Sequence, residues 1–220
     1  MTVVVAIDGP SGSGKSTVAR AVAGALGLPV LDTGAMYRAV TLAVLEAAIP
    51  LDDGPTSAAI ARKADITVEG GRTLLDGRDV SDEIRGPTVT GAVSTVAAHL
   101  EVREILVARQ REWVERHGGG VVEGRDIGTV VFPDATVKVY LVASDEERAR
   151  RRQRDEAAAQ RSVAVDEVKA ALDRRDAIDS GRAVSPLRAA DDAVEIDTTN
   201  VDVDAIVADI INRVHAAEAR

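Results

Sequence analysis

The chain has 220 residues, of which 45% are hydrophobic, 29% charged and 2% aromatic, and this length and composition predict one globular domain with an aliphatic core. The absence of cysteine excludes disulfides, thiolate metal sites and cysteine nucleophiles. The longest uninterrupted apolar run, Val3 to Ile7, is too short to span a membrane and lacks the basic start of a signal peptide, so we expect a cytoplasmic protein.

The charge balance disfavours a general nucleic-acid binder, because the net charge is −9 and polyanion binders are usually basic. Only four of the 27 basic residues are lysines, and the rest are arginines. Arginine grips phosphate with a planar fork, so a small phosphate ligand in a local pocket is one explanation. A GC-rich genome is the other, and the positions of the arginines must decide between them.

Apolar segments alternate with helical ones along the chain. Strands are predicted at Val3–Ile7, Val30–Leu31, Val121–Val122, Val137–Val142 and Ala193–Asp197. Helices are predicted at Thr17–Leu26, Met36–Ala48, Thr56–Ala64, His99–Arg116, from Ser144 onward, at Val165–Arg175 and at Val203–Val214. This order predicts a three-layer α/β/α fold with a roughly five-stranded parallel sheet, in which ligands bind at the carboxyl ends of the strands.

Residues 66–80 break this alternation. Ile66 and Val68 alternate with polar residues, and Gly70-Gly71 and Asp76-Gly77 are typical of hairpin turns. We therefore expect a small antiparallel sheet inserted in the α/β chain.

A phosphate-binding loop follows the first predicted strand. It reads Gly9-Pro10-Ser11-Gly12-Ser13-Gly14-Lys15-Ser16-Thr17 and fits G-x-x-x-x-G-K-S between a buried strand and a helix. Its backbone N–H groups and the helix N-terminus suit a nucleoside triphosphate such as ATP. Lys15 is expected to reach the β and γ phosphates, and Ser16 to ligate Mg²⁺.

The loop alone leaves the reaction open among a GTPase switch, a motor ATPase and a small-molecule kinase. Asparagine occurs only at Asn200 and Asn212, neither of them followed by lysine, so the guanine-reading motif N-K-x-D is absent. The strand at Val121-Val122 runs into Glu123-Gly124-Arg125-Asp126, which is not a conventional Walker B motif.

Three further segments place a guanidinium beside a carboxylate or hydroxyl, which points to a shared anion site. They are Asp32 to Arg38, the run from Gly124 to Ala135 that contains GRDIGTVVFPDA, and Arg175 to Leu187. Together with the phosphate loop, these segments resemble the bacterial cytidylate kinases, a family of P-loop nucleoside monophosphate kinases. The GRDIGTVVFPDA string is specific to that family, whereas the phosphate loop is not.

This resemblance implies ATP-dependent phosphorylation of CMP and dCMP, with Mg²⁺, in pyrimidine metabolism. It implies one domain over residues 1–220, with a core at 1–33, 86–147 and 165–220, a monophosphate-binding region at 34–85 and an arginine-rich lid at 148–164. It also implies small nucleotides as partners, with no nucleic acid polymer and no membrane, and a monomer.

The resemblance further assigns roles to matching positions. The residues implied in catalysis are Lys15, Arg125, Arg148, Arg152 and Arg182. The residues implied in acceptor binding are Thr33, Tyr37, Arg38, Ser94, Arg103, Arg125, Asp126, Arg175, Asp179 and Arg182. Within this set, Arg103 and Asp126 read the base, Arg175 and Asp179 hold the sugar hydroxyls, and Arg38, Arg125 and Arg182 clamp the acceptor phosphate.

These residue types suit transfer to a phosphate acceptor, which is largely dianionic at neutral pH and needs no general base. The three histidines, His99, His117 and His215, accordingly lie outside the motifs. Two alternatives remain open: another P-loop kinase acting on UMP, dTMP or shikimate, and a non-catalytic nucleotide-binding module.

Overall fold

A computed structural model describes residues 2–158, 160 and 164–219. Part of the predicted lid, namely Ala159 and residues 161–163 with Arg161, lies outside these described residues. The chain forms two compact units, one made of residues 1–29 and 119–220 and the other of residues 30–118.

The elements alternate as the sequence predicts. The strands are β1 (Val3–Asp8), β2 (Val30–Asp32), β3 (Ile66–Glu69), β4 (Arg72–Leu75), β5 (Arg78–Asp79), β6 (Gly119–Gly124), β7 (Val137–Val142) and β8 (Val194–Asp197). The helices are α1 (Lys15–Leu26), α2 (Thr33–Glu46), α3 (Gly54–Lys63), α4 (Pro87–Val96), α5 (Leu100–His117), α6 (Asp145–Ala158), α7 (Val165–Gly181) and α8 (Val203–Glu218). A short 3-10 turn at Glu83–Arg85 and a π-helical turn at Ile127–Val131 complete the described elements.

The five-stranded sheet has the order β2-β6-β1-β7-β8, which confirms the predicted parallel architecture. Strand β1 pairs in parallel with both β6 and β7, and Val5 lies opposite Val121 on one side and Val137 on the other. Val5 and Ile7 are fully buried, because a central parallel strand is covered on both faces. Asp8 is the last residue of β1 and directly precedes the phosphate loop.

The inserted sheet of the second unit is antiparallel with the order β3-β4-β5, as expected. Gly70 and Gly71 both have positive φ at the β3–β4 turn, which explains the glycine pair.

Helix α4 was not predicted. Its Gly91 and β-branched residues argue against a helix in isolation. Pro87 starts the helix, and Val89, Val93 and Val96 are buried along one side, so tertiary packing stabilises it.

The predicted helices are found with shifted bounds, and the shifts of α2 and α7 bear on the site. Helix α2 begins at Thr33 rather than Met36, because Asp32 accepts a 3.0 Å hydrogen bond from the N–H of Ala35 and caps it. Helix α7 continues past Arg175 to Gly181, so that Asp179 lies within it.

No helix in the described part of the chain combines the length and the apolar character needed to cross a membrane.

Candidate nucleotide-binding site

The phosphate loop requires glycine at two positions where other parts of the first unit approach closely. Gly9 has a φ of 147°, and a Cβ there would lie 2.2 Å from the carbonyl oxygen of Leu141. Gly12 has a φ of 78°, and its Cβ would lie 2.9 Å from the carbonyl oxygen of Arg148. Neither backbone neighbour can yield, so the loop keeps its tight turn only with glycine at both places.

Lys15 is buried at the start of α1 and folds back over the loop. Its Nζ donates to the carbonyl oxygens of Gly9 at 2.8 Å and Pro10 at 2.7 Å. Burial lowers the pKa of Lys15 well below its usual value, and the nearby charges of Arg125 and Arg175 lower it further. Burial and the two arginines thus oppose the charged form of the lysine, while the carboxylates of Glu123 and Asp176 favour it.

Ser16 and Glu123 bring two oxygen ligands together beside that lysine. The Ser16 hydroxyl donates to Glu123 Oε2 at 2.8 Å, and the Glu123 side chain is buried at the end of β6. A hydroxyl and a carboxylate are ligands of the hard type that Mg²⁺ takes, and this ion usually needs only one or two of them besides phosphate and water. The pair fits a magnesium ion, although no cluster of three acidic or histidine side chains that could hold a metal occurs among the described residues.

Arg125 ties the phosphate loop to α7. Its guanidinium donates to the Gly9 carbonyl at 3.0 Å, to Ser11 Oγ at 2.6 Å and to Asp179 Oδ2 at 3.1 Å. Burial works to raise the pKa of Asp179, but Arg125, Arg175 and Arg182 hold it below its ordinary value. Asp179 is therefore held in its charged form by three neighbouring arginines.

Arg175 is buried among the other charged residues of the site. Burial lowers its pKa to about 10, and the charge of Arg125 adds to this effect. Its Nε is buried and has no hydrogen-bond partner among the described residues. A buried, unpaired donor in a cationic cluster is costly unless an anion occupies the site.

Arg148 and Arg152 are both held in ion pairs. Arg148 pairs with Asp176 and with Asp145, the latter at 2.7 Å, and it donates to the Ser11 carbonyl at 3.1 Å. Arg152 pairs with Glu156 one helical turn further along α6. In this arrangement Arg148 anchors the phosphate loop to the start of α6.

The second unit buries the acceptor-binding residues that the resemblance implies there. They are Thr33, Tyr37, Arg38, Ser94 and Arg103, contributed by helices α2, α4 and α5. The guanidinium of Arg103 lies 5.3 Å from the centre of the Tyr37 ring, within range of a cation–π contact. Arg38 donates to the Ile84 carbonyl and to Thr90 Oγ1, both at 2.8 Å. Buried polar side chains with these fixed orientations are typical of a binding site rather than of a solvated face.

Sequence reasoning missed two carboxylates of the site. Asp8 accepts hydrogen bonds from the N–H groups of Ile127 at 2.9 Å and Gly128 at 2.8 Å. Asp176 accepts from the Ser11 N–H at 3.1 Å and pairs with Arg148. Asp8 adjoins the loop motif and Asp176 follows Arg175 in the sequence. The contacts themselves could not be predicted, because Asp8 binds residues more than a hundred positions away and Asp176 binds Ser11, 165 positions away, and Arg148, 28 positions away.

The fold and this loop define a P-loop nucleotide-binding protein of the three-layer α/β/α type. The sequence profile of the family described as Cytidylate kinase matches residues 5–216. The chain therefore belongs to the cytidylate kinase family.

Individual relatives agree with this assignment. The chain is 50% identical over 208 residues to a cytidylate kinase of Caldanaerobacter subterraneus, a match covering 94% of this chain and 92% of the relative. It is 53% identical over 203 residues to a cytidylate kinase of Mycobacterium avium, covering 90% and 89% of the two chains. A solved sugar kinase structure from Janibacter, 16% identical, superposes with a TM-score of 0.51 over 100% of this chain and 98% of that one, and supports the fold alone.

Proposed function

We propose that this protein transfers the terminal phosphoryl group of ATP directly to CMP or dCMP, giving CDP or dCDP. Membership of the cytidylate kinase family supports the choice of acceptor. The observation that carries the proposal is the gathering of Lys15, Arg125 and Arg175. Burial, with the two arginine charges added, lowers the pKa of Lys15, and burial, with the charge of Arg125 added, lowers that of Arg175. Such a concentration of cations suits two substrates that both carry phosphate.

Donor binding is assigned to the phosphate loop, residues 9–17. Lys15 exchanges its bonds to the loop carbonyls for phosphate oxygens, and the N–H groups at the start of α1 face the same anion. Ser16 and Glu123 would hold Mg²⁺, which when bound offsets the negative charge of the triphosphate. The chain's own contribution is to fix the phosphates in one orientation.

Acceptor binding is assigned to the residues that the family resemblance implies. They are Thr33, Tyr37, Arg38, Ser94, Arg103, Arg125, Asp126, Arg175, Asp179 and Arg182. Arg38, Arg125 and Arg182 are proposed to bind the acceptor phosphate, and Arg175 and Asp179 the sugar hydroxyls. Arg125 and Arg182, with Lys15, are proposed to stabilise the transferring group as well.

The reaction needs no proton-abstracting side chain. The second pKa of a phosphate monoester is about 6, so the attacking oxygen is largely deprotonated at neutral pH. The barrier then comes from bringing two anions into line, and the cations lower it by neutralising and positioning them.

Base selection is assigned to Asp126 and Arg103. The Asp126 carboxylate accepts from the exocyclic amino group of cytosine, and Arg103 donates to the ring acceptors. Uracil would place a carbonyl oxygen against the carboxylate, and a mismatch between two buried acceptors is strongly rejected.

We extend the proposal to the whole chain as one catalytic domain over residues 1–220. Residues 34–85 serve as the monophosphate-binding region, and residues 148–164, with Arg148 and Arg152, serve as a lid that excludes water on closure. The protein acts as a cytoplasmic monomer in pyrimidine nucleotide metabolism, with no nucleic acid or membrane partner.

A coupled assay of ADP release tests the proposal, with ATP, Mg²⁺ and one acceptor at a time. The acceptors are CMP, dCMP, UMP, dTMP, AMP and shikimate. We expect rapid turnover with CMP and dCMP and at least about a hundredfold lower kcat/KM with the others. Faster turnover with UMP, dTMP or shikimate, or nucleotide binding with no turnover at all, would contradict it.

A further inference from the structure

The carboxylate of Asp8 clamps the backbone that carries the base-reading Asp126. Its Oδ1 accepts from the Ile127 N–H at 2.9 Å, and its Oδ2 accepts from the Gly128 N–H at 2.8 Å. The side chain is 4% exposed, so water does not compete for these bonds. Both carboxylate oxygens are thus committed to the two N–H groups that directly follow Asp126.

Further hydrogen bonds fix the carbonyl oxygen of Asp126 and the residue before it. Its carbonyl oxygen accepts from the N–H groups of Val130 at 2.9 Å and Val131 at 3.2 Å, which closes the π-helical turn. The preceding residue, Arg125, donates to the carbonyl of Gly9, the neighbour of Asp8. Asp126 itself has a φ of −143° and a ψ of 26°, outside regular helix or strand.

The clamp links the donor side of the proposed reaction to the acceptor side. Asp8 is the last residue of β1, and the phosphate loop begins at the next residue. A π-helical turn is rare in proteins and marks functional places more often than chance. A carboxylate at the start of that turn accepts from otherwise unsatisfied N–H groups there.

We propose that Asp8 is a positioning residue that sets the preference for cytosine over uracil by fixing Asp126. This inference rests on the proposed function, since it assigns the selectivity of the same site. Asp8 does not touch substrate in this proposal, because both of its oxygens are used by backbone N–H groups.

The Asp8→Asn variant tests the inference with little change in shape. An amide can accept from one N–H, but its own N–H₂ group meets the second N–H as another donor. We expect the ratio of kcat/KM for CMP to that for UMP to fall about tenfold, while the KM for ATP changes less than about threefold. The matched control is Asp202→Asn, which makes the same change at a carboxylate that caps α8 by accepting from the Asp204 N–H. The control is expected to leave the ratio unchanged.

A double variant distinguishes positioning from general destabilisation. If Asp8 acts through Asp126, Asp8→Asn lowers the ratio in the wild-type background but not further in the Asp126→Asn background. An unchanged ratio in the single variant, or an additive loss in the double variant, would overturn the inference.

Two further measurements separate failure of the proposed function from failure of the role of Asp8. Absence of CMP turnover in the wild type would refute the proposed function, whereas wild-type turnover with an unaltered ratio in Asp8→Asn would refute only the role of Asp8. If Asp8→Asn does not fold, amide hydrogen exchange of the wild type still tests the clamp. Slow exchange at Ile127 and Gly128 is expected, and exchange as fast as in an open loop would overturn it.

Discussion

The Ser16 hydroxyl donates a 2.8 Å hydrogen bond to Glu123, which joins the first turn of α1 to the end of β6. This pair places the two proposed magnesium ligands within one hydrogen bond of each other. The donor, Ser16, belongs to the phosphate-loop motif. The acceptor, Glu123, lies in the segment Glu123-Gly124-Arg125-Asp126, which does not fit a conventional Walker B motif.

The Glu123→Gln variant is expected to raise the Mg²⁺ concentration needed for half-maximal activity by about tenfold, because a neutral amide attracts the cation less than a carboxylate. Titration of ADP release with Mg²⁺ at saturating ATP and CMP measures this. Glu218→Gln, at the exposed end of α8, is the matched control. A magnesium dependence identical to the wild type would remove Glu123 from the ion site.

Lys15→Ala is expected to reduce kcat by at least about a hundredfold, since the variant loses the one cation built into the phosphate loop. The fold should persist, because α1 packs through its buried Val18 and Val22 and the ammonium group bonds only to carbonyls within the loop. Steady-state kinetics and thermal unfolding measure the two effects. Lys169→Ala, which removes a half-exposed lysine 3.9 Å from Glu146, should behave as the wild type. An active Lys15→Ala enzyme would refute the loop assignment.

Asp126→Asn is expected to narrow the preference for CMP over UMP by at least about tenfold, because an amide can donate to uracil where the carboxylate could only repel it. The ratio of the two kcat/KM values is the measurement. A ratio equal to that of the wild type would remove Asp126 from base reading.

Arg148→Gln is expected to lower both stability and affinity for ATP. Arg148 is 7% exposed, and its loss leaves Asp176 and the Ser11 carbonyl without their cationic partner. Breaking a buried pair in this way costs about 3 kcal/mol. Chemical unfolding and the KM for ATP measure the two effects, with Arg150→Gln as the exposed control on the same helix. Loss of kcat alone, with stability intact, would make Arg148 a purely catalytic residue instead.

The free energy of unfolding should depend on pH through the titration of Asp8. Burial raises the pKa of Asp8 from 3.8 to about 6, and the charge of Asp126 contributes to the rise. The folded state therefore binds this proton more tightly than the unfolded chain, so the stabilising contribution is complete below about pH 4 and is lost as the pH rises through about 6.

Between about pH 7 and about pH 5, the free energy of unfolding of the wild type should rise by about 1 kcal/mol relative to Asp8→Asn. Denaturant unfolding at several pH values without Mg²⁺ measures the difference. Parallel curves for the two proteins would show that Asp8 does not titrate in this range.

The parts of the fold with strong local patterns could be predicted from the sequence. The β-branched run of β1, the glycine-rich loop and the paired glycines of the β3–β4 turn each determine their own conformation. Helix α4 could not be predicted in this way, because Gly91 and its β-branched residues are poor helix formers and only packing of Val89, Val93 and Val96 stabilises it.

Part of the candidate site could likewise be predicted from the sequence and part could not. In the phosphate loop and the GRDIGTVVFPDA string, the functional residues are neighbours in the sequence, so these motifs could be identified. The contacts of Asp8 with Ile127 and Gly128 join positions that only the fold brings together. The π-helical turn at Ile127–Val131 begins at those two N–H groups, and no turn signal in the sequence predicted it.

In the proposed mechanism, arginines and a magnesium-bound triphosphate carry out the transfer without a general base. A crystal structure of the protein with CMP bound provides the test. We predict that the phosphate of CMP contacts the guanidinium groups of Arg38, Arg125 and Arg182, with no histidine or unpaired carboxylate beside the attacking oxygen. CMP bound away from these three arginines, or its phosphate oxygen held by a side chain able to take a proton, would contradict the account.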